Sequence, residues 1–116
     1  IKNSYKCLLG FSQGAATACR WLAASKPQFD SLILWGGLFP EDIDYSFHKN
    51  SFEQLDIWVG YGMKDPFRDE QKIKVRTSIF AESGLNYNEF SFEGSHSIES
   101  EYLKTLMQNI SKLKYS

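Results

Sequence analysis

The pentapeptide Gly10-Phe11-Ser12-Gln13-Gly14 constrains this chain more than any other stretch. An apolar run from Tyr5 to Leu9 reads as a buried strand before it, and Ala15 to Ala24 reads as a helix laid close against a sheet after it. Together they place G-x-S-x-G between strand and helix, the context in which a serine is lifted on a sharp, strained turn as a nucleophile. A turn that tight brings the residues two before and two after the serine into contact. Both must lack bulk, and Gly10 and Gly14 do. The spacing by itself is a modest signal, since at average glycine and serine usage a chance match has a probability of roughly 4%. The flanks and the downstream residues must carry the rest.

Downstream, a helix is expected from about Gln13 to Ser25, with Ala15, Ala16, Cys19, Leu22 and Ala23 on its sheet-facing side and Pro27 as its stop. Ser31 to Trp35 is a near-continuous apolar run closed by Gly36-Gly37, as expected of a strand covered on both faces. Leu38 to Gln54 follows neither a period of 2 nor of 3.6, so it reads as a long irregular connection. Because it leaves the C-terminal end of a strand, Leu38 and Phe39 are candidates to line a substrate groove, and the alternative is a covering loop whose aromatics protect the core. Leu55 to Gly60 is a third strand, about Asp69 to Ser83 a second helix with Ile73, Val75, Ile79 and Phe80 as its apolar residues and Gly84 as its stop, and Tyr87 to Phe92 a fourth strand. The polar alternation of that last strand suits a sheet edge. A final helix has Ser97 as its cap, Glu99 and Glu101 for the first turn, Lys112 and Lys114 for the last, and a buried stripe of Leu103, Leu106, Met107, Ile110 and Leu113.

Alternating strands and helices predict an α/β fold, a mostly parallel sheet of about four strands flanked by helices. The 116 residues, 42% apolar and 16% aromatic, suffice for one packed domain over 1–116. A formal charge of −1 with interspersed signs gives no reason to expect nucleic acid or an anionic membrane as partner. No apolar run approaches a membrane span, and Ile1-Lys2-Asn3-Ser4 is not a signal peptide, so a cytoplasmic protein is expected. Cys7 and Cys19 occupy positions for small apolar residues and read as core thiols; two histidines without C-x-x-C or H-E-x-x-H point to no metal and no cofactor. The chain lacks an initiator methionine and starts close to the elbow strand, which in doubly wound sheets is normally central. The N-terminal strands are therefore expected to be absent, leaving an open sheet edge through which the chain could form a homo-oligomer.

Three candidates fall after three different strands, in the order Ser12, Asp65, His96. That is the order of the α/β-hydrolase triad, and the chemistry needs each type. A serine hydroxyl becomes a competent nucleophile when an imidazole takes its proton, and a carboxylate holds that imidazole in the right tautomer. Asp69 is the chief rival for the acid, because Asp65 before Pro66 could serve as a turn residue. His48 is the other histidine, but it precedes the aspartate and lies in the irregular stretch. The backbone N–H of Gln13 is the expected oxyanion donor, with a second donor expected from an earlier strand's loop.

The segments Gly10-Phe11-Ser12-Gln13-Gly14-Ala15, Gly62-Met63-Lys64-Asp65-Pro66 and Gly94-Ser95-His96-Ser97-Ile98 resemble the nucleophile, acid and histidine motifs of the phospholipase/carboxylesterase family of α/β-hydrolases, which includes acyl-protein thioesterases and small bacterial esterases. The resemblance covers the whole chain and the C-terminal half or so of a family member. It implies Gln13 as an oxyanion donor; family members usually carry glycine where this chain has Ala15, a small-for-small change. The expected function is a cofactor-free serine hydrolase cleaving carboxylic esters or thioesters, small-molecule or lipid-like, through an acyl-enzyme. A non-catalytic hydrolase-fold protein or inactive fragment acting as a binding module is the alternative, and an acyltransferase or peptidase with the same triad a third.

Overall fold

A computed structural model describes the backbone of residues 5–115 and the side chains of residues 5–110. Four parallel strands in the order β1-β2-β3-β4 form the sheet: β1 (Cys7–Phe11), β2 (Ser31–Trp35), β3 (Asp56–Gly62) and β4 (Asn88–Phe92). Helices α1 (Gln13–Ser25), α2 (Glu70–Glu82) and α3 (Ser100–Tyr115) connect and follow them, and residues 49–51 form a single 3₁₀ turn. The α/β class and the parallel sheet of four strands are as the alternation predicts. Among the described residues no helix is long and apolar enough to cross a membrane.

The period of 2 along β2 sorts the core into two layers. Leu32 and Leu34 face α1 and α2, joined by Ala15, Cys19, Leu22, Ile57, Val59 and Phe80, whereas Ile33 and Trp35 face α3, joined by Phe90, Phe92, Leu106 and Ile110. Every residue of β2 is buried, which explains its unbroken apolar run. The irregular connection from Leu38 contributes Phe39, Tyr45 and Phe52 to the first layer, where Phe39 stacks on Phe80 at 4.1 Å between ring centroids. Removing an aromatic of this kind costs about 3–5 kcal/mol.

Several boundaries and faces differ from the sequence reading, each for a local reason. β1 runs two residues later than Tyr5 to Leu9, because Gly10 and Phe11 still pair with Leu34 and Trp35. β3 likewise extends to Gly62, whose neighbour Met63 donates its N–H to Phe92 O. On α1 the buried set contains Ala18 in place of Ala16, which is half-buried and turned to a surface cleft. On α2 Thr77 and Phe80 are buried while Val75 and Ile79 are exposed; the Thr77 hydroxyl is satisfied by donating to Ile73 O at 2.7 Å. α3 starts at Ser100, and Leu103 N–H bonds to Glu99 O, so Glu99 stands where Ser97 was expected to cap. Ser97 is engaged elsewhere: its carbonyl accepts from Trp35 Nε1–H at 2.9 Å. Met107 is exposed, outside the stripe of Leu103, Leu106 and Ile110, and the side chains of Lys112, Leu113 and Lys114 lie outside the described residues. β4 is an edge strand with alternating exposure, as its polar pattern implies, and β1 is the opposite edge.

The packing makes a pH prediction. Burial pushes the Cys19 thiol up to about 12, and burial also raises the Tyr45 and Tyr61 hydroxyls above their ordinary range. Each is an acid that the fold keeps neutral, while the unfolded chain ionises it from 9.0 for cysteine and 10.0 for tyrosine. The stabilisation is therefore complete below pH 9 and is lost as pH rises toward 12. Thermal midpoints measured from pH 7 to 11 are expected to decline above pH 9; a midpoint that stays level through that window contradicts this packing.

Candidate active site

Ser12 sits between β1 and α1 at φ 57° and ψ −121°, a sparsely populated positive-φ conformation that a serine adopts at a cost of about 1–3 kcal/mol. The strain is held from several sides. Ser12 N–H donates to Trp35 O at 2.9 Å, and Ala15 N–H donates to Ser12 O at 3.0 Å. A side chain at Gly10 would put its Cβ 2.7 Å from Ala15 Cα and Gly14 O, so glycine is required before the serine. The expectation for Gly14 fails: a Cβ there meets nothing, because its position in the first turn of α1 faces open space. The second tight contact falls on Gly37, where a Cβ would land on the Ser12 carbonyl and the Ala15 methyl. Tyr61 holds that glycine in place by donating its hydroxyl to Gly37 O at 3.0 Å.

Asp65 and His96 come from the loops that follow β3 and β4, and the two loops are bonded together. Lys64 N–H donates to Gly94 O at 2.9 Å, and any side chain at Gly62 would collide with the carbonyls of Gly94 and Ser95. Asp65 Oδ1 accepts from Phe67 N–H at 2.8 Å, an Asx-type turn that fixes the carboxylate. The other oxygen, Oδ2, lies 2.7 Å from His96 Nδ1, and His96 Nε2 lies 2.8 Å from Ser12 Oγ. The Asp65 side chain is 2% exposed and the His96 ring 20%. An ionised carboxylate can only accept, so Nδ1 carries the proton and Nε2 of the neutral ring is left to accept from the Ser12 hydroxyl. Gly36, at φ 64°, backs this pair closely enough that a Cβ would stand 3.3 Å from His96 Nδ1.

Ser12, Asp65 and His96 are thus brought together at the C-terminal ends of parallel strands, where open α/β sheets bind ligands. Asp69 and His48 are not part of this cluster. Asp69 caps α2, its carboxylate accepting from Lys72 N–H at 3.1 Å, and His48 precedes the 3₁₀ turn with its ring against Phe47. The three residues open onto a cleft of about 700 Å³ that Gln13, Ala16, Leu38 and Phe67 also line. Gln13 is the first residue of α1, so its N–H has no intrahelical acceptor and points from the positive end of the helix dipole. Of the two proposed groove residues, Leu38 lines the cleft and Phe39 does not. Phe39 is 1% exposed, drawn into the core by Phe80, Tyr45 and Tyr87.

Arg20 and Arg76, which also line the cleft, pair with Asp42 and Glu41 at 3.1 and 2.9 Å. These pairs lie at the surface, where solvent screening leaves an ion pair little net stabilisation. They link the irregular connection to α1 and α2. Sequence reasoning missed Gly36, Gly37, Tyr61 and Phe67. The Gly36-Gly37 pair was visible as the end of a strand, but no local pattern says which backbone a glycine must approach.

Comparison with known proteins gives a consistent result. The profile of the phospholipase/carboxylesterase family matches residues 1–114. No curated protein matches the chain. Among solved structures, the Bacillus cereus carboxylesterase superposes with a TM-score of 0.66 at 13% identity, covering 91% of this chain and 49% of the esterase. Arabidopsis thaliana SOBER1 superposes at 0.73 with 16% identity, covering 96% of this chain and 55% of SOBER1. Esterase PE8 gives 0.64 at 17% identity, with 91% and 49% covered. The chain therefore spans about half the length of these structures, and at such identities they speak to the fold.

Proposed function

The chain belongs to the phospholipase/carboxylesterase family, and from that premise we propose that it carries the catalytic triad of a serine hydrolase acting on carboxylic esters or thioesters. The observation that carries the proposal is the continuous relay from Ser12 Oγ through His96 to Asp65, with both links at 2.8 and 2.7 Å. Those lengths lie within the reach general-base catalysis needs. Ser12 Oγ attacks the acyl carbon while His96 Nε2 takes its proton. Asp65 stabilises the imidazolium that forms, and the Gln13 N–H stabilises the oxyanion. His96 then gives the proton to the departing alcohol or thiol, and water repeats the sequence on the acyl-enzyme. Leu38 contributes apolar wall to the cleft.

Two-step acyl transfer has a kinetic signature. Rapid mixing with p-nitrophenyl acetate is expected to give a burst of nitrophenolate stoichiometric with protein, and acid quenching an acetyl adduct on the peptide containing Ser12. The same experiment with an acyl thioester ranks the two substrate classes. An adduct on another residue, or release without any acylated protein, would overturn the proposal.

A further inference from the structure

We propose that Phe67 is a specificity-determining residue that selects for an apolar leaving group. The inference rests on the acyl-transfer reading above. In the acylation step the bond from Ser12 Oγ to the acyl carbon forms and the bond to the leaving oxygen or sulfur breaks. The proton removed from Ser12 passes through His96 Nε2 to that leaving atom, which departs as an alcohol or thiol. The leaving atom must therefore come within hydrogen-bond distance of Nε2, and whatever is attached to it must lie against the surroundings of the imidazole. The oxyanion is drawn the other way, toward the Gln13 N–H, and the acyl group takes the remaining direction.

Two aromatic rings flank the imidazole. Phe11 lies 5.1 Å from it between centroids, on strand β1 and half-buried in the core layer beneath. Phe67 lies 4.9 Å away, edge to face at 63°, lines the cleft and is 75% exposed. Phe67 thus offers an exposed aromatic surface beside the imidazole that the leaving atom must approach. Its place is not accidental to the chemistry: the Phe67 N–H is held by Asp65 Oδ1, the same carboxylate that orients His96 through Oδ2. An exposed phenyl ring on a backbone anchored in this way gains by covering apolar surface and gains nothing from a small or charged alcohol.

The test compares wild type with Phe67→Ala and Phe67→Leu on two ester series. One keeps the acetyl group and varies the alcohol through methyl, butyl, hexyl and benzyl; the other keeps methanol and lengthens the acyl chain. Taking each variant's kcat/KM relative to wild type removes intrinsic reactivity. For Phe67→Ala the loss on hexyl and benzyl acetate is expected to exceed the loss on methyl acetate by on the order of tenfold, as one pocket contact commonly discriminates. Phe67→Leu is expected to recover most of that loss on hexyl acetate, and the acyl series should show no trend. An equal loss along the alcohol series, or a loss that follows acyl length, overturns the inference. Labelling of wild-type Ser12 by a fluorophosphonate separates the two levels: a labelled serine with flat alcohol selectivity removes the role of Phe67 alone, and an unlabelled one removes the acyl-transfer reading with it.

Discussion

Ser12→Ala is expected to lower ester hydrolysis by on the order of a millionfold, the scale on which serine hydrolases lose turnover when the nucleophile is removed. The effect is expected to be catalytic and not structural. The serine hydroxyl makes no capping bond to α1, so its loss leaves no helix N–H newly unsatisfied. Alanine keeps the Cβ and therefore meets the same positive-φ backbone at φ 57° with the same strain. His96 loses a partner at Nε2 on the ring edge that faces the cleft, where water can replace it, and keeps its bond to Asp65. Unfolding midpoints should accordingly change little while product formation falls to background. Hydrolysis by the alanine variant within tenfold of wild type would show that another group attacks.

Asp65→Asn is expected to lower the rate by on the order of ten-thousandfold, the scale on which Ser-His-Asp enzymes respond to loss of the orienting carboxylate. The reason lies in how the two carboxylate oxygens are used. Oδ1 accepts from the Phe67 N–H, which only an oxygen can satisfy, so the introduced amide must keep its oxygen there. Its NH₂ group then faces His96 Nδ1. A donor at that place obliges Nδ1 to accept, which moves the ring proton to Nε2, and Nε2 can no longer take a proton from Ser12. The geometry survives and the tautomer is wrong. A double variant with Ser12→Ala should add little to the single nucleophile loss, because the residues act as one unit. If Asp65→Asn retains a tenth or more of wild-type activity, the carboxylate is not setting the tautomer.

Much of this was legible in the residues because chemistry and period coincide there. G-x-S-x-G announced a sharp turn between strand and helix, the unbroken apolar run of β2 announced a strand covered on two faces, and Asp-Pro and Gly-Ser-His each followed a stretch legible as a strand, the first by its apolar run and the second by its polar alternation. What stayed hidden depends on contacts across the fold. Gly14 looked as necessary as Gly10, yet the close approach to the elbow is made by Gly37, 25 residues from Ser12 along the chain. Phe39 read as a groove residue because it follows a strand end, but three aromatics, Tyr45 of the irregular connection, Phe80 of α2 and Tyr87 before β4, draw it inward. Conversely Phe67, in an unremarkable loop, stands exposed against the imidazole because its own backbone bonds to Asp65. Ser97 has the composition of a cap and is used as an acceptor by Trp35, a partner 62 positions away.

The central claim is that the relay through His96 makes Ser12 a nucleophile. Intact-mass measurement after incubation with a fluorophosphonate tests it most directly, since the reagent phosphonylates activated serines and passes over ordinary hydroxyls. The account predicts one adduct per chain, mapped to the peptide containing Ser12, absent in Ser12→Ala and formed far more slowly in Asp65→Asn. A folded wild-type protein that takes up no adduct, or takes it up equally after Ser12→Ala, would contradict it.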